Sequence, residues 1–220
     1  MGNDSVTGAP LEGPLRSVTE PPPEEAVPTG PVRLLIERSA RRDFTRALTV
    51  SEAGGDRPPF LWVERPYHVL KEEALLYADE ARARPLLAVR QRSAPGAAAT
   101  VHEILDVPGG HRFGTLRGSA RGALALFGGP LRWELLGADG APAGVLLEEG
   151  GWLRRLLLGE SRFRLDLGLR TAALLVAEQG LLGSRYFLTL LPVAEPIDAR
   201  FAVACATVVI NATLRRRGGS

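Results

Sequence analysis

Hydrophobic and polar residues alternate strictly in several short runs of the chain. SRFRLDLGL, residues 161–169, places Phe163, Leu165, Leu167 and Leu169 on one face and Arg162, Arg164, Asp166 and Gly168 on the other. LRWEL, residues 131–135, repeats this period of two, which is typical of a strand with one buried face. RYFLTLL, residues 185–191, is rich in aromatic and apolar residues, and this composition predicts a strand buried on both faces.

Turn residues separate these runs in a recurring form. ILDVPGGHRFGTL, residues 104–116, and LLGADGAPAGVLL, residues 135–147, each place an aspartate and glycines between two apolar segments. Such a pattern predicts a strand, a tight polar turn and a second strand. Successive hairpins form an antiparallel meander, and closing the meander into a barrel removes its exposed edges. The fold is therefore predicted to be mainly β.

The C-terminal stretch IDARFAVACATVVINATLRRR, residues 197–217, does not alternate. In a helix its few polar positions, Arg200, Thr207 and Asn211, fall with Ala204 on one narrow stripe, whereas in a strand they divide between both faces. The stripe favours a helix. Asp198 is the predicted N-cap, and the arginines at 215–217 suit the negative end of the helix dipole.

A helix that is apolar on nearly every side is buried either in protein or in lipid. The uncharged run from Phe201 to Leu214 is about 21 Å long at 1.5 Å per residue, against a hydrocarbon core of about 30 Å. The length favours a helix threaded through the β body. A shallow or tilted insertion into a membrane, with the terminal arginines as its anchor, is the alternative.

The N-terminal part of the chain has a different composition. Residues 1–31 contain no aromatic residue and many prolines, which predicts a disordered tail. Residues 32–59 are predicted to be a linker or a basic accessory segment, because RLLIERSARRDFTRAL is compatible with a basic amphipathic helix or with a strand and linker. GGDRPP, residues 54–59, predicts an interruption of regular secondary structure. The main domain is expected over residues 60–217.

Charge and cysteine content narrow the function classes. The net charge is +2, and 26 of the 27 basic residues are arginines spread along the chain, with Lys71 the single lysine. Nucleic-acid binding is not expected, since it requires a clustered basic surface. Cys205 is the single cysteine, so the sequence has neither a disulfide framework nor the cysteine spacing of a zinc motif. The N-terminal sequence lacks the pattern of a secretory signal, and the expected location is cytoplasmic.

Catalytic motifs are absent from the sequence. It contains no HExxH, GxSxG, P-loop lysine or GxGxxG pattern. His68, His102 and His111 share no metal-ligand spacing and are expected to be surface or edge residues of separate hairpins. Cys205 is expected to be a small buried hydrophobe, and adjacent glutamates such as Glu148 and Glu149 point to opposite faces of a strand. A non-enzymatic protein without cofactor or metal is predicted.

Two glycine-containing segments require separate interpretation. Gly114, Gly118 and Gly122 imitate a membrane-helix dimer motif, but the arginines between them favour strand or turn glycines. GGWLRRLLLGE, residues 150–160, combines Trp152 with Arg154 and Arg155. This composition suits a segment at a lipid headgroup layer, with arginines on phosphate and Trp152 at the interface. The alternative is a barrel-closing helix with its leucines inward and its arginines in water.

The order of these hairpins and the final helix resembles the tubby C-terminal-like superfamily, in particular LURP-one-related proteins and phospholipid scramblases. The resemblance rests on YHVLKEEALLYADE, ILDVPGGHRFGTL, WELLGADGAPAGVL, WLRRLLLGESRFRLDL and IDARFAVACATVVINATL. It implies a closed antiparallel barrel around a hydrophobic C-terminal helix. It also implies a binding or scaffold function at anionic phospholipid or a membrane surface, with an unidentified protein partner. A scramblase-type membrane protein is the alternative.

The chain departs from the superfamily pattern at two places. LPVAEPID before the helix offers only Glu195 and Asp198, whereas scramblases are expected to carry an acidic calcium-binding stretch there. Asn211 stands late in the helix, where many relatives have an aspartate. Calcium regulation is therefore not expected of this protein.

Overall fold

The computed structural model describes residues 30–38, 46–65, 73–93, 99–118, 130–150, 160–180, 183–193 and 197–216. Within these ranges the chain forms twelve β-strands followed by one long α-helix. The first six strands are β1 (Val32–Arg38), β2 (Arg46–Glu52), β3 (Leu61–Arg65), β4 (Glu73–Tyr77), β5 (Pro85–Gln91) and β6 (Val101–Asp106). The remaining elements are β7 (His111–Gly118), β8 (Arg132–Leu136), β9 (Pro142–Glu149), β10 (Ser161–Leu167), β11 (Arg170–Gly180), β12 (Gly183–Leu190) and α1 (Ala199–Arg216).

The twelve strands form one closed antiparallel barrel. Each strand pairs with the next along the chain, and β1 pairs with β12 to complete the circle. The predicted fold class, a closed antiparallel barrel with a hydrophobic C-terminal helix, is confirmed. The prediction that residues 32–59 are a linker or a basic accessory segment is wrong, because β1 and β2 are barrel strands and β1 covers the edge that β12 would otherwise expose.

The reason for that error lies in the apolar pattern of β1. Leu34 and Ile36 point into the barrel and are buried, but Leu35 lies between them on the outer face. The extra leucine removes the alternation that identifies a half-buried strand. The predicted tail over residues 1–31 lies outside the described residues except for Gly30 and Pro31.

Helix α1 runs through the barrel, and every residue from Phe201 to Ile210 is buried. A ring of twelve strands encloses more space than the side chains of its own wall can fill, and a helix about 10–12 Å across fills that space. The middle of α1, residues 202–209, is built from alanine, valine, Cys205 and Thr207. These short side chains let the wall approach the helix closely. The prediction that Cys205 is a small buried hydrophobe is confirmed.

The polar stripe of α1 finds its hydrogen bonds mostly within the helix itself. The Thr207 hydroxyl donates to the carbonyl of Val203 at 2.9 Å, and Arg200 donates to Asp198. The amide oxygen of Asn211 accepts a hydrogen bond from Arg65 of the barrel wall at 3.4 Å. The helical period was therefore predicted correctly, although one position of the stripe, rather than all of them, bonds the wall.

Arginines on the outer wall form ion pairs with carboxylates on neighbouring strands. Arg90 meets Glu73 across β4 and β5 at 2.6 Å, and Arg185 meets Glu37 across β1 and β12 at 2.9 Å. Arg164 of β10 contacts Glu149 of β9 at 2.9 Å and also Asp166 of its own strand at 3.0 Å. Direct and diagonal cross-strand pairs of this kind stabilise a sheet modestly. They also divide the positive charge of the wall into neutral pairs.

The barrel has two different ends. The turns of the five hairpins β2–β3, β4–β5, β6–β7, β8–β9 and β10–β11 lie where α1 begins, and this end is called the helix-entry end. The opposite ends of the same strands and the last turn of α1 form the helix-exit end. The hairpins predicted at ILDVPGGHRFGTL and LLGADGAPAGVLL are confirmed as β6–β7 and β8–β9.

Two predicted strand faces differ from the structure. Leu169, predicted to continue the buried face of β10, lies in the two-residue β10–β11 turn and is 105% exposed. Gly168 precedes it with φ +57°, at the position where type II′ hairpin turns take glycine. β12 is buried on one face only, since Phe187 on its outer face is half-buried beneath the guanidinium of Arg33 at 4.3 Å.

The strand interpretation of the glycine run is confirmed for its described members. Gly114 and Gly118 both lie in β7, whereas Gly122 lies outside the described residues. A Cβ on Gly114 would come within 3.4 Å of the Phe201 ring and 2.9 Å of the Leu136 carbonyl oxygen. The missing side chain makes room for the first turn of α1.

Gly144→Ala is expected to lower the free energy of unfolding by about 2–3 kcal/mol, as overpacking of a close-packed interior does. Gly144 lies in β9 opposite Leu167 of β10, and an added Cβ would overlap the backbone carbonyl of Asp166. Urea denaturation followed by tryptophan fluorescence measures the change. Gly55→Ala is the matched control, because its nearest neighbours would be 3.8 Å away. Equal stability of the two variants would contradict the close approach of β9 and β10.

Candidate functional site

Asp198 caps α1 at the helix-entry end. Its carboxylate accepts the backbone N–H of Arg200 at 2.8 Å and the Arg200 guanidinium at 2.6 and 3.1 Å. Partial burial alone would raise the pKa of Asp198, but the side-chain and backbone hydrogen bonds from Arg200 outweigh it and lower the pKa. The same side-chain hydrogen bond raises the pKa of Arg200. The predicted N-cap is confirmed, and it holds a fixed charge pair at the rim.

Three aromatic rings stack beside this cap. Phe201, in the first turn of α1, packs on Phe113 with ring centroids 5.8 Å apart, and Phe113 packs on His111 at the same distance. His111 also lies 3.4 Å from the carboxylate of Asp106. The stack extends from the buried helix to the exposed start of β7. It forms one side of the opening.

A hollow of about 190 Å³ lies next to the stack, between α1 and the ends of β7 to β10. We call it the mouth cavity. Its lining residues are predominantly apolar: Phe113, Leu135, Leu136, Gly137, Ala143, Leu167, Asp198 and Phe201. The size is comparable to that of cavities of about 150 Å³ that bind benzene. An apolar group therefore fits the mouth cavity, with the Asp198 and Arg200 pair at its edge.

The helix-exit end carries a polar cluster instead. Arg65, Glu73, His102 and Asn211 surround a space of about 10 Å³, which is the size of a single water molecule. Burial, followed by the nearby charges of Arg215 and Arg65, lowers the pKa of His102 to about 4. His102 is therefore neutral at pH 7. The cluster is a tightly packed polar plug and leaves too little space for a ligand.

The predicted positions of the histidines need correction. His102 was expected at the surface or at an edge, but it points into the barrel and is 5% exposed. His102 and His111 lie in one hairpin, β6–β7, rather than in separate ones, while His68 lies outside the described residues. His111 is exposed as expected. No group of three or more metal-ligating side chains occurs within the described ranges.

The surroundings of Cys205, Glu148 and Glu149 suit a structural role for these side chains. Burial raises the pKa of the Cys205 thiol to about 12, so the thiolate needed for nucleophilic chemistry does not form at neutral pH. Glu148 points into the barrel and accepts the backbone N–H of Leu131 at 2.9 Å, whereas Glu149 points outward to Arg164. The prediction that these two glutamates lie on opposite faces is confirmed.

The lipid-binding residues predicted from the sequence, Trp152, Arg154 and Arg155, lie outside the described residues. The neighbouring residues that are described, Gly150 and Glu160, lie at the helix-exit end, where β9 ends and β10 begins. Gly150 and Glu160 are therefore at the opposite end of the barrel from the mouth cavity.

The sequence did not identify the mouth cavity as a site. Its lining comes from four strands, a turn and the start of α1, and no spacing along the chain connects these segments. The available signal was the pairing of a helix cap with an aromatic residue, Asp198 and Phe201. That signal marks the place where the helix enters the barrel.

The fold and this geometry define a closed barrel threaded by its own C-terminal helix, with an apolar cavity at the helix-entry end. A scan of protein-family models and a search of curated proteins find no match for this chain. Within the described residues, no helix has the length and apolar character needed to cross a bilayer.

Proposed function

We propose that this protein is a non-enzymatic binding module of the LURP-one or tubby-like kind that associates with lipid. In this proposal it is a cytoplasmic protein that attaches peripherally to membranes and binds an amphiphile at the mouth cavity. The observation that carries the proposal is the mouth cavity itself, an apolar space of about 190 Å³ with a charge pair at its edge.

The arrangement suits an anionic phospholipid. The apolar walls offer a place for part of an acyl chain, because each methylene removed from water contributes about 0.8 kcal/mol. The Arg200 guanidinium is 43% exposed and held by Asp198, and arginine is suited to phosphate recognition. Small-molecule sites combine a mostly apolar lining with a few placed polar groups in this way.

The closed interior supports binding rather than transport through the barrel. The middle of α1 occupies the lumen, and the cavity beside Ala202, Cys205 and Ala206 is only about 10 Å³. Among the described residues, part of an acyl chain therefore has space at the mouth and not in the small cavity beside the middle of the helix. An unidentified protein partner remains part of the proposal, as it was in the sequence interpretation.

Ala143→Trp is expected to weaken binding of a monomeric anionic phospholipid at least about tenfold, because the indole fills the mouth cavity. Ala143 lies at the exposed rim of the lining, so the substitution leaves the interior of the barrel unchanged. The measurement is calorimetric titration with dihexanoyl phosphatidylserine below its micelle concentration.

Ala138→Trp is the matched control, since Ala138 is exposed in the same β8–β9 hairpin but does not line the cavity. Undiminished binding by Ala143→Trp would place the lipid elsewhere. Absence of binding by the unmodified protein would refute the proposed mouth-cavity function.

A further inference from the structure

Three large hydrophobic side chains are exposed in turns of the helix-entry end of the barrel. They are Phe60, Val107 and Leu169, which are 44%, 39% and 105% exposed. Phe60 ends the β2–β3 turn, Val107 begins the β6–β7 turn and Leu169 lies in the β10–β11 turn. All three turns belong to the helix-entry end. We call these residues the three apolar tips.

The three apolar tips are evenly distributed around the rim. Their hairpins begin at β2, β6 and β10, so successive tips are four strands apart in a ring of twelve. Neighbouring strands are about 4.8 Å apart, which separates the tips by roughly 20 Å along the rim. Scattered exposed hydrophobic residues are common on proteins, but this placement distributes apolar contacts around the whole circumference of one end.

Such spacing suits a flat partner. A protein partner that contacted all three tips would have to cover the whole opening of the barrel with a complementary surface. A bilayer surface reaches all three at once without any matching shape. The mouth cavity opens at the same end, bordered by the β8–β9 turn and by Leu167 next to the Leu169 turn.

Charge at this end also indicates the kind of membrane contact. The five hairpin turns, residues 53–60, 78–84, 107–110, 137–141 and 168–169, contain three arginines and four acidic residues, a formal net charge of −1. Anionic headgroups are therefore not attracted by the turns as a whole. Arg57 and Arg170 are exposed near two of the tips, where arginine side chains contact phosphates of any phospholipid.

We infer that the protein docks on a bilayer with its helix-entry end, inserting Phe60, Val107 and Leu169 into the interface between headgroups and acyl chains. This inference rests on the proposed lipid association and names the surface that performs it. The contact is hydrophobic, so it forms on zwitterionic membranes and changes little with salt. It also places the mouth cavity against the lipid.

Vesicle co-sedimentation of the full chain tests the inference. The variant Phe60→Thr, Val107→Thr, Leu169→Thr is expected to bind phosphatidylcholine vesicles at least about tenfold more weakly, because burying one leucine-sized side chain is alone worth about tenfold in affinity. The matched control is Leu35→Thr, Leu75→Thr, Leu147→Thr, three half-buried positions on the outer wall. The unfolding midpoint of each triple variant is first compared with that of the unmodified protein. If a triple variant is destabilised, the corresponding single variants are used in its place.

The docking inference and the proposed function of the mouth cavity are tested by different measurements, so either can fail without the other. A tip variant that binds phosphatidylcholine vesicles as the unmodified protein does overturns the inference. Binding that is restricted to phosphatidylserine vesicles and lost in 0.5 M salt also overturns the inference. Loss of that binding in the variant Arg154→Ala, Arg155→Ala would then assign it to the segment predicted from the sequence. Tip variants that change the oligomeric state but not vesicle binding overturn it in favour of contact between copies. In each case calorimetry with monomeric phosphatidylserine decides separately whether the mouth cavity binds lipid.

Discussion

Val203→Asp is expected to abolish cooperative folding of the barrel. Val203 lies in the middle of α1 and is 0% exposed, surrounded by side chains of the wall. A carboxylate at that position has no cation or water to compensate its loss of hydration. The cost is several kcal/mol even after relaxation, and of order 20 kcal/mol without it, which is comparable to or larger than the stability of about 5–15 kcal/mol of a typical domain.

Circular dichroism and urea denaturation measure this effect. Val203→Ala provides a graded comparison, with an expected loss of about 2 kcal/mol from the removed methyl groups and the cavity they leave. Leu169→Asp introduces the same charge at a fully exposed turn and is expected to change stability by less than about 0.5 kcal/mol.

The result also distinguishes the two interpretations of the C-terminal helix. If α1 left the barrel to enter a bilayer, the barrel would fold without it and Val203→Asp would impair membrane insertion only. A Val203→Asp protein that unfolds at the same urea concentration as the unmodified protein would therefore contradict a structural role for the helix.

Acid is expected to destabilise the protein by about 2–3 kcal/mol between pH 7 and pH 4.5 through His102 alone. Burial, with the charges of Arg215 and Arg65, lowers the pKa of His102 from 6.5 to about 4 in the folded protein. Between these two values the unfolded chain binds a proton that the folded chain does not. Stability is therefore complete above about pH 6.5 and is lost as the pH falls towards 4.

The packed surroundings of His102 explain why this proton is excluded. Arg65, Glu73 and Asn211 line the same water-sized space, and Arg215 contributes a second positive charge. A second proton on the imidazole would place a third cation in this cluster. Among the described residues that line this space, Glu73 supplies a carboxylate, and that carboxylate is already paired with Arg90.

The measurement is the free energy of unfolding in urea at pH 7, 6, 5 and 4.5. His102→Leu is expected to remove the loss over this range, whatever its effect on stability at pH 7. His111→Leu is the control, because His111 is 61% exposed beside Asp106. Asp198, whose lowered pKa makes it a source of acid sensitivity, loses its contribution as the pH falls below about 4, outside this range. An unchanged pH dependence in His102→Leu would contradict the buried neutral histidine.

The alternation of apolar and polar residues predicted those strands in which one face is buried and the other is exposed to solvent. Trp133 and Leu135 of β8, and Phe163 and Leu165 of β10, point inward as their spacing predicts. The rule fails at Leu169, because alternation continues in the sequence past the residue at which the strand turns. A period of two identifies the inward face of a strand but not the point where the strand ends.

Closure of the barrel involved strands that the local pattern could not identify. The sequence left residues 32–59 open between a basic amphipathic helix and a strand with a linker, because Leu35 interrupts the alternation and arginines surround the apolar residues. The place of β1 and β2 is decided by partners far along the chain, since Ile36 pairs with Tyr186 of β12. A long-range pairing of this kind leaves no trace in the spacing of nearby residues.

The sequence by itself determined a mainly β body, the hairpins at residues 104–116 and 135–147, and a helix capped by Asp198. These features follow from local causes: the two-residue period of strands, the glycines of tight turns and the hydrogen bond of an N-cap. Tertiary structure decided that α1 fills the lumen, that His102 is buried and that the three apolar tips share one end with the mouth cavity. These features required the closed ring, because only closure brings together residues from strands that are distant along the chain.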